Sequence, residues 1–218
     1  MALLFTPKVK MIVNEVIAIV LGYLLGSIPS AYIATRVATG KDIRQLGSGN
    51  VGGFNVFREA GAKPSLVVII VDIGKGAAAV AIAYWLLGVP ELFVMLAGLA
   101  AVIGHMWMVF LKFSGGKGTG TTFGALAILM PIYGYWYGFL IFLAIFAIPL
   151  IITRSMCVPL AMGIGLLFLP LIIWGITQSG LATILAIILG VLFGVKFLPT
   201  ARAAWAKAKN ISDFVRSH

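Results

Sequence analysis

ELFVMLAGLAAVIGHMWMVFL, residues 91–111, has one charged side chain, Glu91, at its first position and one histidine, His105, near its far end. Everything between is apolar or small. A helix of about 20 such residues crosses the ~30 Å hydrocarbon core of a bilayer. Its neighbours read the same way. Upstream lie apolar runs at 12–37 and 65–88; downstream lie 119–131, 136–153, 157–175 and 180–199. Only 119–131 is short for a full span. Pro64, Gly88-Val89-Pro90, Pro131 and Ser179-Gly180 punctuate the runs, as expected of residues that interrupt helices. The spacing predicts an all-α polytopic membrane helix bundle of about seven transmembrane helices.

Composition agrees. Of 218 residues, 61% are hydrophobic and 10% charged, with a mean hydropathy of +1.11. A soluble chain of this size needs far more polar surface. No long polar stretch separates the spans, so residues 1–218 are expected to form a single domain, with 200–218 a basic tail suited to anionic headgroups. The run that begins at Met11 extends past the roughly 7–15 residues of a signal-peptide core, and reads as a retained first helix. Cys157 alone permits no internal disulfide.

Net charge is +10, from 16 Lys and Arg against 6 Asp and Glu. The basic residues fall in alternate connections. Lys41, Arg44, Arg58 and Lys63 lie in the first, Lys112 and Lys117 in the third, Arg154 in the fifth, and Arg202, Lys207, Lys209 and Arg216 in the tail. The connections near Gly88, Tyr133 and Gln178 have none. The positive-inside rule then puts the N-terminus outside and the C-terminus in the cytoplasm. Lys8 and Lys10 oppose this and are outnumbered. Spread over loops between spans, these charges make no nucleic-acid-binding module.

Two glycine-rich loops fall on the predicted cytoplasmic side. The first runs Gly47-Ser48-Gly49-Asn50-Val51-Gly52-Gly53-Phe54-Asn55-Val56-Phe57-Arg58. The second runs Lys112-Phe113-Ser114-Gly115-Gly116-Lys117-Gly118-Thr119-Gly120-Thr121-Thr122. Glycine lets backbone N–H groups close on an anion and take positive φ. Ser48, Asn50 and Asn55 add hydrogen bonds, Arg58 and Lys117 add charge, and a helix starting after Gly118 would aim its N-terminus at the same anion. A phosphate fits such a site, and flexible linkage between spans is the plainer alternative. Gly47-x-Gly49-x-x-Gly52 lacks the strand and α/β context of a dinucleotide fingerprint. Gly116-Lys117-Gly118 lacks the first glycine and the hydroxyl residue of a Walker loop.

Ionisable groups inside spans are costly in hydrocarbon. Asp72 and Lys75, three residues apart, share a helix face and can pair. They read either as a structural ion pair or as supports that orient the loop residues. His105 is either a hydrogen-bonded structural residue or a base. Pro29, between Ser27 and Ser30, should kink the first helix and leave backbone groups for the hydroxyls. With two histidines and few carboxylates, no metal-ligand set or other cofactor site is expected.

In order and spacing, Gly26-Ser27-Ile28-Pro29, Gly47-Ser48-Gly49-Asn50 with Gly52, Asn55 and Arg58, Asp72-Ile73-Gly74-Lys75-Gly76, and Gly104-His105 through Gly115-Gly116-Lys117-Gly118 resemble the bacterial acyl-phosphate-dependent glycerol-3-phosphate acyltransferases. The resemblance covers roughly residues 15–125. It implies a seven-helix enzyme of the cell inner (plasma) membrane, with its active site facing the cytoplasm. It also implies transfer of a fatty acyl group from acyl phosphate to the 1-hydroxyl of glycerol-3-phosphate, giving lysophosphatidic acid and phosphate for phospholipid synthesis. By the same resemblance Ser48, Arg58 and Lys117 match phosphate-handling positions, among Gly47, Gly49, Asn50, Gly52, Asn55, Gly115, Gly116 and Gly118. The partners implied are acyl phosphate, glycerol-3-phosphate and membrane lipids, with no nucleic acid. A mixed anhydride is already activated, so alignment of hydroxyl and carbonyl suffices without a covalent intermediate. A substrate phosphate, with second pKa about 6, is the favoured proton acceptor, ahead of His105.

The chain departs from that family in three places. Gly53-Phe54 stands for Ala-Thr, and Met108 for Pro. Where the family carries Arg-His and then Asn after its last helix, this chain has Lys196-Phe197 and Thr200. The last departure leaves open a divergent or non-catalytic paralogue that carries a lipid or organophosphate or uses another acceptor.

Overall fold

The computed structural model describes residues 6–137, 139, 140, 143, 144 and 178–207. Their regular structure is all helical, with no strand among them. The chain separates into two compact units, Met1–Leu129 and Met130–His218.

In the first unit, α1 (Pro7–Gly26) and α2 (Ser30–Thr39) together form the first span, 33 residues long. They break at Ser27–Pro29, where the proline ring cannot continue the hydrogen-bond ladder, as the sequence anticipates. A 3₁₀ turn at Ile43–Gln45 and a short helix, α3 (Gly53–Ala60), follow. The glycines around 47–53 conceal α3 in the sequence. It forms because it is amphipathic: Asn55 and Val56 are buried, whereas Phe54, Phe57 and Arg58 face outward. Next come α4 (Ala62–Ala81), extended by a π turn over Ile82–Leu86, and α5 (Glu91–Met106), extended by a 3₁₀ turn at Val109–Leu111. These make spans of 25 and 21 residues. The apolar helix α6 (Thr119–Ile132) is shorter.

Small residues let these helices touch backbone to backbone. A Cβ on Gly22 or Gly26 of α1 would strike the carbonyl oxygen of Ala97 or Ala101 on α5, and one on Gly104 would strike that of Tyr23. Likewise Gly76 of α4 lies against the Thr121 carbonyl, and Gly124 of α6 against that of Ile73. Lipid tails are as apolar as leucine, so close packing of this kind, rather than exclusion from water, holds helices together in a bilayer. Tyr23 Oη adds a hydrogen bond to the Trp107 carbonyl, 2.8 Å.

In the second unit, α7 (Gly180–Lys207) carries a 20-residue span, Gly180–Pro199. The sequence reading ends this helix near residue 199 and begins a tail at 200. The helix instead passes through Pro199 and continues into an alanine-rich segment, whose propensity favours it. Residues 136, 137, 139, 140, 143 and 144 are helical, in keeping with the start of the expected 136–153 helix. The rest of that helix and the one expected at 157–175 lie outside the described residues. In all, four helices are long and apolar enough to cross a membrane among the described residues.

Candidate active site

Helix direction puts the two glycine loops at one end of the bundle. The first precedes α4, α5 runs back, and the second follows α5. There they meet. Gly116 fits between the Val51 carbonyl of the first loop and the His105 ring, so that a Cβ would collide with both the Val51 oxygen and His105 Nε2. The Gly116 N–H also donates to the His105 carbonyl at 3.0 Å. Gly115 is as tightly placed, against the carbonyls of His105 and Met106.

Asn55 shapes the first loop. Its Nδ2 donates to the carbonyls of Leu46 (3.0 Å), Asn50 (3.1 Å) and Ile43 (3.4 Å), while its Oδ1 accepts from the Ser48 N–H at 3.1 Å. This buried amide is thus spent on the chain itself and fixes the bend. Gly47 and Gly49 take φ of +52° and +70°, where a side chain would be strained. Beside Gly47 an added Cβ would lie 2.5 Å from Asn55 Oδ1 and 2.6 Å from Glu59 Oε1. Asn50 N–H approaches Ser48 Oγ at 3.4 Å, and a Cβ on Gly52 would come 2.9 Å from Asn50 Nδ2. Ser48 and Arg58 are exposed at this end.

The second loop turns through Lys112 and Phe113, both left-handed with φ of 55° and 61°, and through Gly118 at 84°. Gly118 offers its carbonyl to Thr122 N–H and Oγ1, each at 2.9 Å, which starts α6. Lys117, just before that helix, is half-buried. Desolvation pulls its pKa down to about 8, because burial disfavours the charged form.

Beneath the loop junction lies a buried polar cluster. Asp72 Oδ1 accepts from Ser30 Oγ at 2.6 Å and pairs with Lys75 Nζ at 2.9 Å. His105 Nδ1 lies 3.5 Å from the same oxygen. Lys75 Nζ also donates to the Ile28 carbonyl at the helix break, 3.2 Å, an oxygen that accepts the Ser30 N–H as well, at 3.0 Å. The Asp72–Lys75 pair was legible from its spacing. Ser30 and His105, which tie it to α2 and α5, were not, since the sequence offers only the broken Ser-Ile-Pro-Ser run as a hint. The sequence reading expects these hydroxyls to serve the backbone freed at the kink, and neither does: Ser27 Oγ lies 3.4 Å from the Gly104 carbonyl and 3.5 Å from Val109 N, tying the first span to α5, and Ser30 Oγ goes to Asp72.

Fold and site together define a multi-pass membrane protein whose two glycine loops join over a buried polar cluster. The chain belongs to the glycerol-3-phosphate acyltransferase family, whose model matches residues 16–213. It is 44% identical over 201 residues to glycerol-3-phosphate acyltransferase 1 of Dehalococcoides mccartyi, covering 92% of this chain and 96% of that protein. To glycerol-3-phosphate acyltransferase 2 of the same organism it is 39% identical, covering 90% of each. The crystal structure of PlsY, an integral membrane glycerol 3-phosphate acyltransferase, in its glycerol 3-phosphate form is similar with a TM-score of 0.72 at 30% identity, over 88% of this chain and 92% of that one. The lysophosphatidic acid form gives a TM-score of 0.69 at 28% identity, over 94% and 99%.

Proposed function

We propose that residues 1–218 act as one domain that transfers a fatty acyl group from acyl phosphate to the 1-hydroxyl of glycerol-3-phosphate. The products are lysophosphatidic acid and inorganic phosphate. The observation that supports this reading is the junction of Gly116 with Val51, which brings the two glycine loops into contact; in this reading they share one anion site. In this reading the chain has about seven spans in the inner (plasma) membrane, the N-terminus outside, and both the loops and the C-terminus on the cytoplasmic side. The alternation of basic connections supports that orientation.

Ser48, Arg58 and Lys117 hold the phosphate groups, with backbone N–H groups of Gly47, Gly115 and Gly118, while the Gly49 N–H closes the loop on the Leu46 carbonyl at 2.9 Å. The acceptor hydroxyl oxygen attacks the acyl carbonyl carbon. The bond from that carbon to the phosphate oxygen breaks, and a substrate phosphate oxygen takes the hydroxyl proton. Arg58 and Lys117 stabilise the charge that grows on the leaving phosphate. Asn55 sets the bend of the first loop. His105, held between Asp72 and Gly116, braces the second loop and does not abstract the proton; Asp72 and Lys75 support it.

The test is phosphate and lysophosphatidic acid release by the purified protein over several acyl chain lengths, with Arg58→Ala and Lys117→Ala as inactive controls. Absence of turnover in folded protein refutes the proposal. A carrier or paralogue with another acceptor is the second reading, favoured by Phe197. That side chain is buried and packs on Phe193 with ring centroids 6.1 Å apart, where the family has a histidine. Flux or binding of organophosphate without acyl transfer in the unaltered protein selects it.

A further inference from the structure

A cavity of about 500 Å³ opens between α2 and α4. Its walls are apolar: Ile28, Ile33 and Val37 on one side, Val67 and Val71 on the other. Its charged lining residue is Lys63, at the loop end of α4. The α2 stripe runs from Ser30 to Ala38, about 12 Å at 1.5 Å per residue. That is roughly half the ~30 Å hydrocarbon core, one leaflet deep.

Ile28 and Ser30 line the groove and also bond the buried cluster, but α4 turns different side chains to the two. Ser65 and Ile69 face α3, through the bond from Ser65 Oγ to the Gly53 carbonyl at 2.9 Å and the contact of Ile69 with Gly53. Asp72, Ile73 and Gly76 face His105 and α6. Ser65, Ile69, Asp72 and Gly76 thus share one face, and Pro64, Val67 and Val71 form another, on the groove. Val37 and Val67 are 84% and 55% exposed, so the groove opens to the bilayer.

We propose that this groove binds one anionic phospholipid of the leaflet on the loop side, its acyl chain along α2 and its phosphate on the Lys63 ammonium. The charge selects the lipid: the walls accept any acyl chain, and the one cation sits at headgroup depth. The deep end of the groove is the break in the first span. There Ile28 and Ser30 hold Lys75 and Asp72, so an occupied groove supports the cluster beneath the loops.

The experiment uses the delipidated full chain in detergent, titrated with phosphatidylglycerol or phosphatidylcholine, read by native mass spectrometry and thermal unfolding. One phosphatidylglycerol is expected to be retained per chain, with a concentration-dependent rise in Tm greater than that for phosphatidylcholine. Lys63→Ala should weaken phosphatidylglycerol binding about fivefold, as expected for one basic residue at an anionic headgroup, and leave the phosphatidylcholine response unchanged. Val67→Trp, which fills the groove from its lipid side, should abolish the retained lipid while the unliganded Tm stays near that of the unaltered chain. Equal binding of both lipids, or binding unmoved by the two substitutions, leaves only annular lipid and overturns the proposal. Acyl transfer is not the readout, so the result stands apart from the reaction proposed above.

Discussion

Gly116→Ala tests the loop junction most directly. The new methyl would lie inside contact distance of two groups at once, the Val51 carbonyl oxygen and His105 Nε2. One is backbone, and the other is held through His105 Nδ1 beside Asp72, so neither yields as the end of a flexible side chain would. Ordinary van der Waals contact requires the loops to part by about 1 Å. Overpacking of this kind costs about 1–3 kcal/mol of stability, and a misplacement of about 1 Å can cost 10²-fold in rate, or about 2.7 kcal/mol of transition-state stabilisation. Gly74→Ala is the matched control. Nothing lies within 4 Å of its added Cβ, and alanine is the better helix former by about 1 kcal/mol. Glycerol-3-phosphate acylation and detergent-solution Tm would be measured for both. The expected outcome is a roughly 100-fold fall in kcat/KM for Gly116→Ala with a lowered Tm, and unchanged activity with an equal or higher Tm for Gly74→Ala. Activity of Gly116→Ala within threefold of the unaltered enzyme would refute the claim that the loops meet there.

Asn55→Ala removes one acceptor and three donated hydrogen bonds from a buried site; it should lower stability by roughly 2–3 kcal/mol and raise protease sensitivity between residues 43 and 52. Asp72→Asn leaves the Lys75 ammonium buried without its counter-charge and should cost about 3–5 kcal/mol. Adding Lys75→Met should restore most of the Tm but not kcat/KM, since His105 still lacks the carboxylate; full recovery of both would make the cluster purely structural. Because desolvation lowers the pKa of Lys117 to about 8, its charge is present below that pH and lost above it. KM for glycerol-3-phosphate should therefore climb between pH 8 and 9.5, and Lys117→Arg, which stays charged, should flatten the rise. A KM constant across that range in the unaltered enzyme would remove Lys117 from phosphate binding.

Much of the protein was legible without coordinates. Apolar runs of span length give the membrane helices because hydrocarbon offers no partner to an open backbone, and Pro29 breaks the first of them for a reason local to its ring. Glycines mark the two loops, and the Asp72–Lys75 pair follows from its spacing. Other features could not be read along the chain. Helix α3 hides among glycines because its stability comes from a buried face, through Asn55 and Val56, rather than from propensity. Ser30 and His105 reach Asp72 from 42 and 33 positions away. Whether Gly116 is a flexible hinge or the seat of a junction depends on what stands beside it. One residue type serves both roles, and only packing in three dimensions, with Val51 and His105 on either side, tells them apart.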